Sequence, residues 1–488
     1  MTEPHGRIDR TPPGAGPEPT VIQGGMGVAV SSWRLARAVA RTGQLGVVSG
    51  TALDVVLAHR LQDGDPGGHV RRALAHFPVP RLAEPVLDRY YREDGRGGAP
   101  YAPVPKPSVR PSPRAVELAV VAAFAEVWLA KEGHDGVVGI NLLEKIQMAT
   151  PPVLYGAMLA GVDHVLMGAG IPSEIPALLN RLARHEPARL TLAVDGATSA
   201  YTVGIDPEAV TGGGLPELRR PQFLAVVSAD VLAARLARDE VTRPDGFVVE
   251  GPSAGGHNAP PRTRGALTDD GQSLFGPRDL ADLERVARVG LPFWLAGGRG
   301  TPEAVAAARS AGAVGVQVGT LFALSAESGL DVALRREALD RLAEGRLRVR
   351  TEPLASPTGF PFKVADLPGT LADPALLAER VRQCDGGYLR TPVEQGPGRL
   401  GYRCAAEPVD VYVRKGGHPE DAVGRVCLCN ALMSAVGLGQ DRPSGYHEPP
   451  LVTLGADLDG PARLLRRHPE GWSAAEAVAF LLEGSAAG

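Results

Sequence analysis

Apolar residues along this chain come in short, near-continuous runs. Each run is followed by a glycine-rich or polar loop and then, in most cases, by a helical pattern. Eight runs read as strands: Thr20–Ile22, Gly46–Ser49, Val137–Asn141, His164–Met167, Phe223–Ser228, Phe247–Glu250, Phe293–Ala296 and Gly315–Val318. Continuous apolarity suits strands buried on both faces of a parallel sheet. Among the helical stretches, Ser32–Arg41 has Ser31 or Ser32 as N-cap, and Glu303–Ser310 has Pro302 in its first turn. Eight strands alternating with helices predict an α/β chain folded as a (β/α)8 TIM barrel. A doubly wound open sheet has the same periodicity and stays open as an alternative.

Some stretches break the rhythm. Residues 1–18 read as a disordered tail. Insertions fall near 90–113, with six prolines from Pro100 to Pro113, and near 195–221, rich in Gly and Pro. The predicted organisation is a barrel over 19–351, a Gly- and Cys-rich subdomain over 352–450 and a helical segment over 451–488, including Ala474–Leu482.

Composition narrows the function. Hydrophobic residues are 44% and charged residues 22% of the 488, which excludes wholesale disorder. A net charge of −4 gives no reason to expect a nucleic-acid or anionic-membrane partner. Apolar runs fall short of the ~18 residues of a membrane span, and the first 20 residues have no apolar signal-peptide core, so the expected compartment is the cytoplasm. With 61 glycines and 44 prolines, tight turns and glycine loops are where chemistry is to be sought.

Those loops sit at strand ends. Gly297-Gly298-Arg299-Gly300 follows the seventh strand, and Gly319-Thr320 follows the eighth. In barrels these two loops often hold a phosphate, because glycine lets backbone N–H groups approach it and a helix start adds a favourable dipole. Turn formation alone is the competing reading. Gln23-Gly24-Gly25-Met26-Gly27 follows the first strand: its glycines admit a flat ligand, Gln23 can bond a heterocycle edge, and Met26 offers a soft apolar face. Asn141 ends the third strand, with Lys145 just beyond as a cation for an anionic reduced flavin, or simply a solvated helix residue. The sixth strand ends in Glu250 and runs through Gly251–Gly256 to His257. That loop presents a histidine at the rim where barrels place catalytic groups.

Four cysteines, Cys384, Cys404, Cys427 and Cys429, all lie in the last quarter. They match the ligand count of a structural zinc site, although their spacing is unlike the usual Cys-x2-Cys pairs; burial as small hydrophobes is the other reading.

QGGMG after the first strand, AGGH after the sixth, LAGG after the seventh and GVQVGT after the eighth resemble the nitronate monooxygenases, once called 2-nitropropane dioxygenases. The flavin-dependent enoyl reductases of polyunsaturated fatty acid and polyketide synthases are related. The resemblance spans roughly residues 20–365. The cysteine-bearing segment resembles a longer subgroup of the family, as does Ser356-Pro357-Thr358-Gly359-Phe360-Pro361 after the barrel. The resemblance implies non-covalent FMN, flanked by Gln23, Gly24, Gly25, Met26 and Asn141. Gly297, Gly298, Gln317, Gly319 and Thr320 would hold its ring and phosphate, and His257 would stand at the base position. The implied activity is oxidation of alkyl nitronates or nitroalkanes with oxygen to a carbonyl compound and nitrite. The alternative is NAD(P)H-dependent reduction of enoyl thioesters, with a small-molecule or acyl-carrier-bound substrate. A third class is a non-enzymatic barrel that binds a phosphate ligand.

Overall fold

The computed structural model describes residues 18–263, 265–396 and 398–484. The expected disordered tail, apart from Glu18, lies outside them. All eight expected strands form: β1 (Val21–Gln23), β2 (Gly46–Ser49), β3 (Val138–Leu143), β4 (His164–Gly168), β5 (Gln222–Val227), β6 (Gly246–Glu250), β7 (Phe293–Ala296) and β8 (Gly315–Val318). Each pairs in parallel with its neighbour from β2 round to β8, and β8 pairs with β1. A parallel bridge between Ile22 and Leu45 joins β1 to the β2 edge. The sheet therefore closes, and the open-sheet alternative is excluded.

The lumen is filled by Ile22, Val47, Leu166, Leu224, Val248, Trp294 and Ala296, drawn from six of the strands. The Trp294 indole N–H donates to the Pro19 carbonyl at 2.8 Å, which satisfies the polar handle of the largest fully buried side chain. Outside, helices Trp33–Ala40 and Pro113–Lys131 bury aliphatic faces against the strands. Among the described residues no helix is long and apolar enough to cross a membrane.

The region near 195–221 is more regular than a loop. Ala188–Leu192 and Tyr201–Ile205 form an antiparallel hairpin, and Pro207–Thr211 is a short helix capped by Asp206. After the barrel, two further hairpins pair Val349–Glu352 with Phe362–Ala365 and Thr391–Glu394 with Leu400–Arg403. The chain then returns across the strand ends. Gly256 N–H donates to Thr453 Oγ1 at 2.8 Å, Ala456 N–H to the Ser253 carbonyl at 2.9 Å, and Gly455 N–H to Thr320 Oγ1 at 2.8 Å. Residues 453–456 thus tie the β6 loop to the β8 loop. Trp472 and Phe480 on the terminal segment pack into the barrel's outer core.

Candidate active site

One cavity of about 470 Å³ opens at the C-terminal ends of the strands, within the range of cofactor and substrate sites. Its floor is built from strand-end loops: Gly24, Gly25 and Met26 after β1, Asn141 at β3, Glu250 and His257 at and after β6, Gly297 to Gly300 after β7, and Gln317, Gly319 and Thr320 at β8. Its roof comes from far away in sequence. Ala102, Pro103, Val104 and Lys106 of the Pro-rich insertion form one side, and residues from Cys384 to Leu389 and from Leu428 to Gln440 the other.

The glycine loops have definite packing reasons. A Cβ at Gly25 would lie 2.2 Å from the Asn141 Cβ, so a side chain there would displace the β3 residue that faces the cavity. Gly298 has φ +64°, and a Cβ there would meet Ser253 Oγ and Asp457 Oδ2 at 3.1 Å.

Two polar atoms in the cavity wall are buried without a partner among the described residues: Gln317 Oε1 and Arg299 Nε. Buried polar groups are seldom left so. An acceptor at the end of β8 and a guanidinium after β7 fit a flavin: the first can receive a ring N–H, the second can hold a phosphate. The fit has one opposing feature, since the Asp457 carboxylate also lines this wall and Arg299 must offset it.

The rim histidine is held by residues from beyond the barrel. His257 Nε2 lies 2.7 Å from Ser356 Oγ, and Ser356 Oγ lies 2.8 Å from Thr358 Oγ1. The Phe362 ring packs edge-on against the imidazole at 4.8 Å between centroids. Burial pushes the His257 pKa down to about 4, so the ring is uncharged at neutral pH. Glu250 is shifted the other way: burial alone raises its carboxyl to about 8, and it therefore keeps its proton at neutral pH. Two titratable groups pushed apart by their surroundings mark functional sites. The sequence reading passed over Glu250, although a lone acid closing the apolar run Phe247-Val248-Val249 was the available signal.

Of the expected site residues, Gly24, Gly25, Met26, Asn141, Gly297, Gly298, Gln317, Gly319, Thr320 and His257 all line this cavity. Two do not. Gln23 is fully buried, and its amide is spent on the protein: Nε2 donates to Ser31 Oγ at 2.8 Å, and Oε1 accepts from Val47 N–H at 3.0 Å. It braces β1 against β2 instead of facing a ligand. Lys145 is exposed, pairs with Glu144 at 3.5 Å and lies over the Phe360 ring at 5.1 Å, away from the cavity wall. Among the described residues, the lysine and arginine side chains that line the cavity are Lys106 and Arg299.

The zinc expectation also needs correction. Cys384, Cys404, Cys427 and Cys429 are unpaired by disulfides and line one small second cavity. Yet among the described residues no three His, Cys, Asp or Glu side chains converge as a single metal ion requires.

Residues 219–351, from the approach to β5 through the start of the first post-barrel hairpin, match the family model described as nitronate monooxygenase. This bears out the resemblance read from the strand-end motifs. No curated protein matches the chain in sequence. Solved structures similar to it include FabK from Thermotoga maritima, at 17% identity and TM-score 0.46, covering 96% of this chain and 92% of that one. Another is a nitroalkane oxidase from Streptomyces ansochromogenes, at 16% and 0.45, covering 95% of each. A third is the enoyl reductase domain of MlnA from the macrolactin biosynthesis cluster of Bacillus amyloliquefaciens, at 12% and 0.46, covering 96% of each. At these identities and scores they do not bear on the chemistry.

Proposed function

We propose that this chain, whose β5–β8 region carries the nitronate monooxygenase signature, is an FMN-dependent oxidoreductase that converts nitronates and nitroalkanes with oxygen into carbonyl compounds and nitrite. The observation that carries the reading is His257: an uncharged imidazole on the β6 rim loop, in the same cavity as the unpartnered Gln317 Oε1 and Arg299 Nε. FMN, when bound, supplies the electron acceptor. Gln317, Asn141 and the backbone of Gly24 and Gly25 would border its ring. Arg299 with the loops at Gly298 and Gly319 would hold its phosphate.

The chain's own work is on the proton. A neutral nitroalkane must lose its α-proton before it is electron-rich enough to be oxidised, and the neutral ring of His257 is the form that accepts one. With Nε2–H donating to Ser356 Oγ, Nδ1 carries the lone pair that accepts the proton. The protonated Glu250 adds an uncharged hydrogen-bond donor in the same wall and keeps fixed negative charge away from an anionic nitronate.

A second reading has one observation in its favour. Val55, Leu143, Ile146, Leu432, Met433 and Leu438 form an apolar side of the cavity that suits an acyl chain. NAD(P)H-dependent reduction of an enoyl thioester, free or on a carrier protein, would use such a surface, with His257 orienting the substrate or donating a proton.

The test compares His257→Ala on a neutral nitroalkane and on its preformed nitronate. Loss of ~10²–10⁴-fold on the nitroalkane, much less on the nitronate, with flavin content retained, is the expected result. Equal losses on both would make His257 a binding group, and unchanged kinetics would remove it from the site.

A further inference from the structure

We propose that the large cavity has an arm for an apolar chain of the substrate, and that His59 at the far end of this arm accepts a hydrogen bond from a hydroxyl group on that chain. The inference rests on the nitronate reading only for the reacting end of the substrate.

The arm follows helix Leu53–Gln62, which begins just after β2. Ala52, Val55 and His59 line the cavity at intervals of three and four residues, so one face of this helix forms its wall. At 1.5 Å per residue, His59 lies about 10 Å along the helix from Ala52, on the order of the length of an extended heptyl chain. Leu432, Met433 and Leu438 add apolar surface from the post-barrel segment. The residues assigned to FMN above come from β1, β3, β7, β8 and the loops that follow them, and none from this helix.

The end of the arm is rigidly built. His59 is only 7% exposed, and its ring stacks on Tyr101 at 3.6 Å between centroids. Tyr101 is tied in turn to Gln440: its N–H donates to Oε1 at 2.7 Å, and its carbonyl accepts from Nε2 at 3.0 Å. The Tyr101 hydroxyl donates to Asp63 at 2.6 Å. His59 Nδ1 lies 3.0 Å from the Leu438 carbonyl oxygen. Burial lowers the His59 pKa to about 4, so the ring is uncharged at neutral pH. A carbonyl can only accept, so Nδ1 carries the proton of this neutral ring and Nε2 carries the lone pair.

That lone pair selects the ligand chemistry. Nε2 has no hydrogen-bond partner among the described residues, although the imidazole borders the cavity. Buried acceptors are seldom left so. A chain ending in a methyl group would leave the nitrogen unmatched, and a terminal carboxylate has no proton to give it at neutral pH. A hydroxyl supplies the proton and is small enough to sit at the end of an apolar arm.

The test uses two isomeric probes without a nitro group, heptanol and methyl hexyl ether, titrated calorimetrically into the full flavin-loaded chain. Both fit the arm, but only the alcohol can donate. Heptanol is expected to bind about 3–10-fold tighter, the worth of one neutral hydrogen bond. His59→Asn keeps a donor for the Leu438 carbonyl and removes the Nε2 acceptor, so the two probes should then bind alike. Val55→Trp, which fills the arm, should weaken both. Equal binding of the probes by the wild type, no binding of either, or a preference for the alcohol that survives in His59→Asn would overturn the proposal. The wild-type comparison and Val55→Trp decide the matter if His59→Asn fails to fold. A nitroalkane with a terminal hydroxyl should also show a higher kcat/KM than its unsubstituted counterpart. Probe binding as expected, with no turnover of either nitro compound, would count against the nitronate reading and leave the His59 site standing.

Discussion

His257 Nε2 and Ser356 Oγ lie 2.7 Å apart across 99 residues of sequence, which joins the β6 rim loop to the segment that follows the barrel. Ser356 is completely buried and also accepts a bond from Thr358 N–H at 3.2 Å, so its position is fixed from both sides. The histidine's orientation is therefore set by residues outside the eight-stranded sheet.

Ser356→Ala removes that partner while leaving the imidazole in place. A neutral hydrogen bond is worth about 1 kcal/mol, so kcat/KM on a neutral nitroalkane should fall by roughly 3–10-fold. The loss on a preformed nitronate should be smaller and flavin content unchanged. Equal losses on the two substrates would show that Ser356 supports the fold and not the proton transfer.

Flavin retention tests the strand-end loops. Gly319 has an ordinary backbone conformation, and the nearest atom to a Cβ there is Met26 Sδ at 3.5 Å. Gly319→Leu therefore adds bulk without backbone strain, and should purify folded but without flavin. Arg299→Ala should keep the fold and weaken FMN binding by about 10–150-fold, the range for losing a hydrogen bond to a charged group. Full flavin occupancy in both variants would place the phosphate elsewhere.

Glu250 makes a prediction about pH. Its carboxyl holds a proton up to about pH 8 in the folded chain, against 4.5 for a free side chain. Between those values the folded state binds the extra proton, so this group's contribution to stability falls as pH rises. His257, lowered from 6.5 to about 4, acts in the opposite sense, and stability rises with pH over that interval. Above pH 6.5 the Glu250 slope is no longer opposed by His257. Glu250→Gln should therefore gain up to about 2 kcal/mol relative to wild type between pH 6.5 and 8. Parallel thermal-unfolding curves for the two proteins across that range would contradict it.

The barrel was legible because each strand is an uninterrupted apolar run, a pattern that buried parallel strands leave plainly. The hairpin Ala188–Leu192 with Tyr201–Ile205 was not, since Ala-Arg-Leu-Thr-Leu alternates instead of running continuously. The strand-end glycines Gly24, Gly25, Gly297, Gly298 and Gly319 line the cavity. Gln23 misled because a side chain's sequence position does not say whether its amide is already bonded to Val47 and Ser31. Thr453, Leu454 and Asp457 reach the same cavity from some 200 residues beyond His257, a placement that only tertiary packing reveals. The alignment of Ser356 with His257 was hidden for the same reason.

The most direct test sets two assays side by side on the same flavin-loaded protein. One offers alkyl nitronates in air and measures nitrite; the other offers enoyl thioesters with NADH or NADPH and follows nucleotide oxidation. Nitrite formation that needs oxygen, with little nucleotide oxidation, is the predicted result. Rapid nucleotide oxidation on enoyl thioesters without nitrite from nitronates would contradict the account and make this barrel an enoyl reductase.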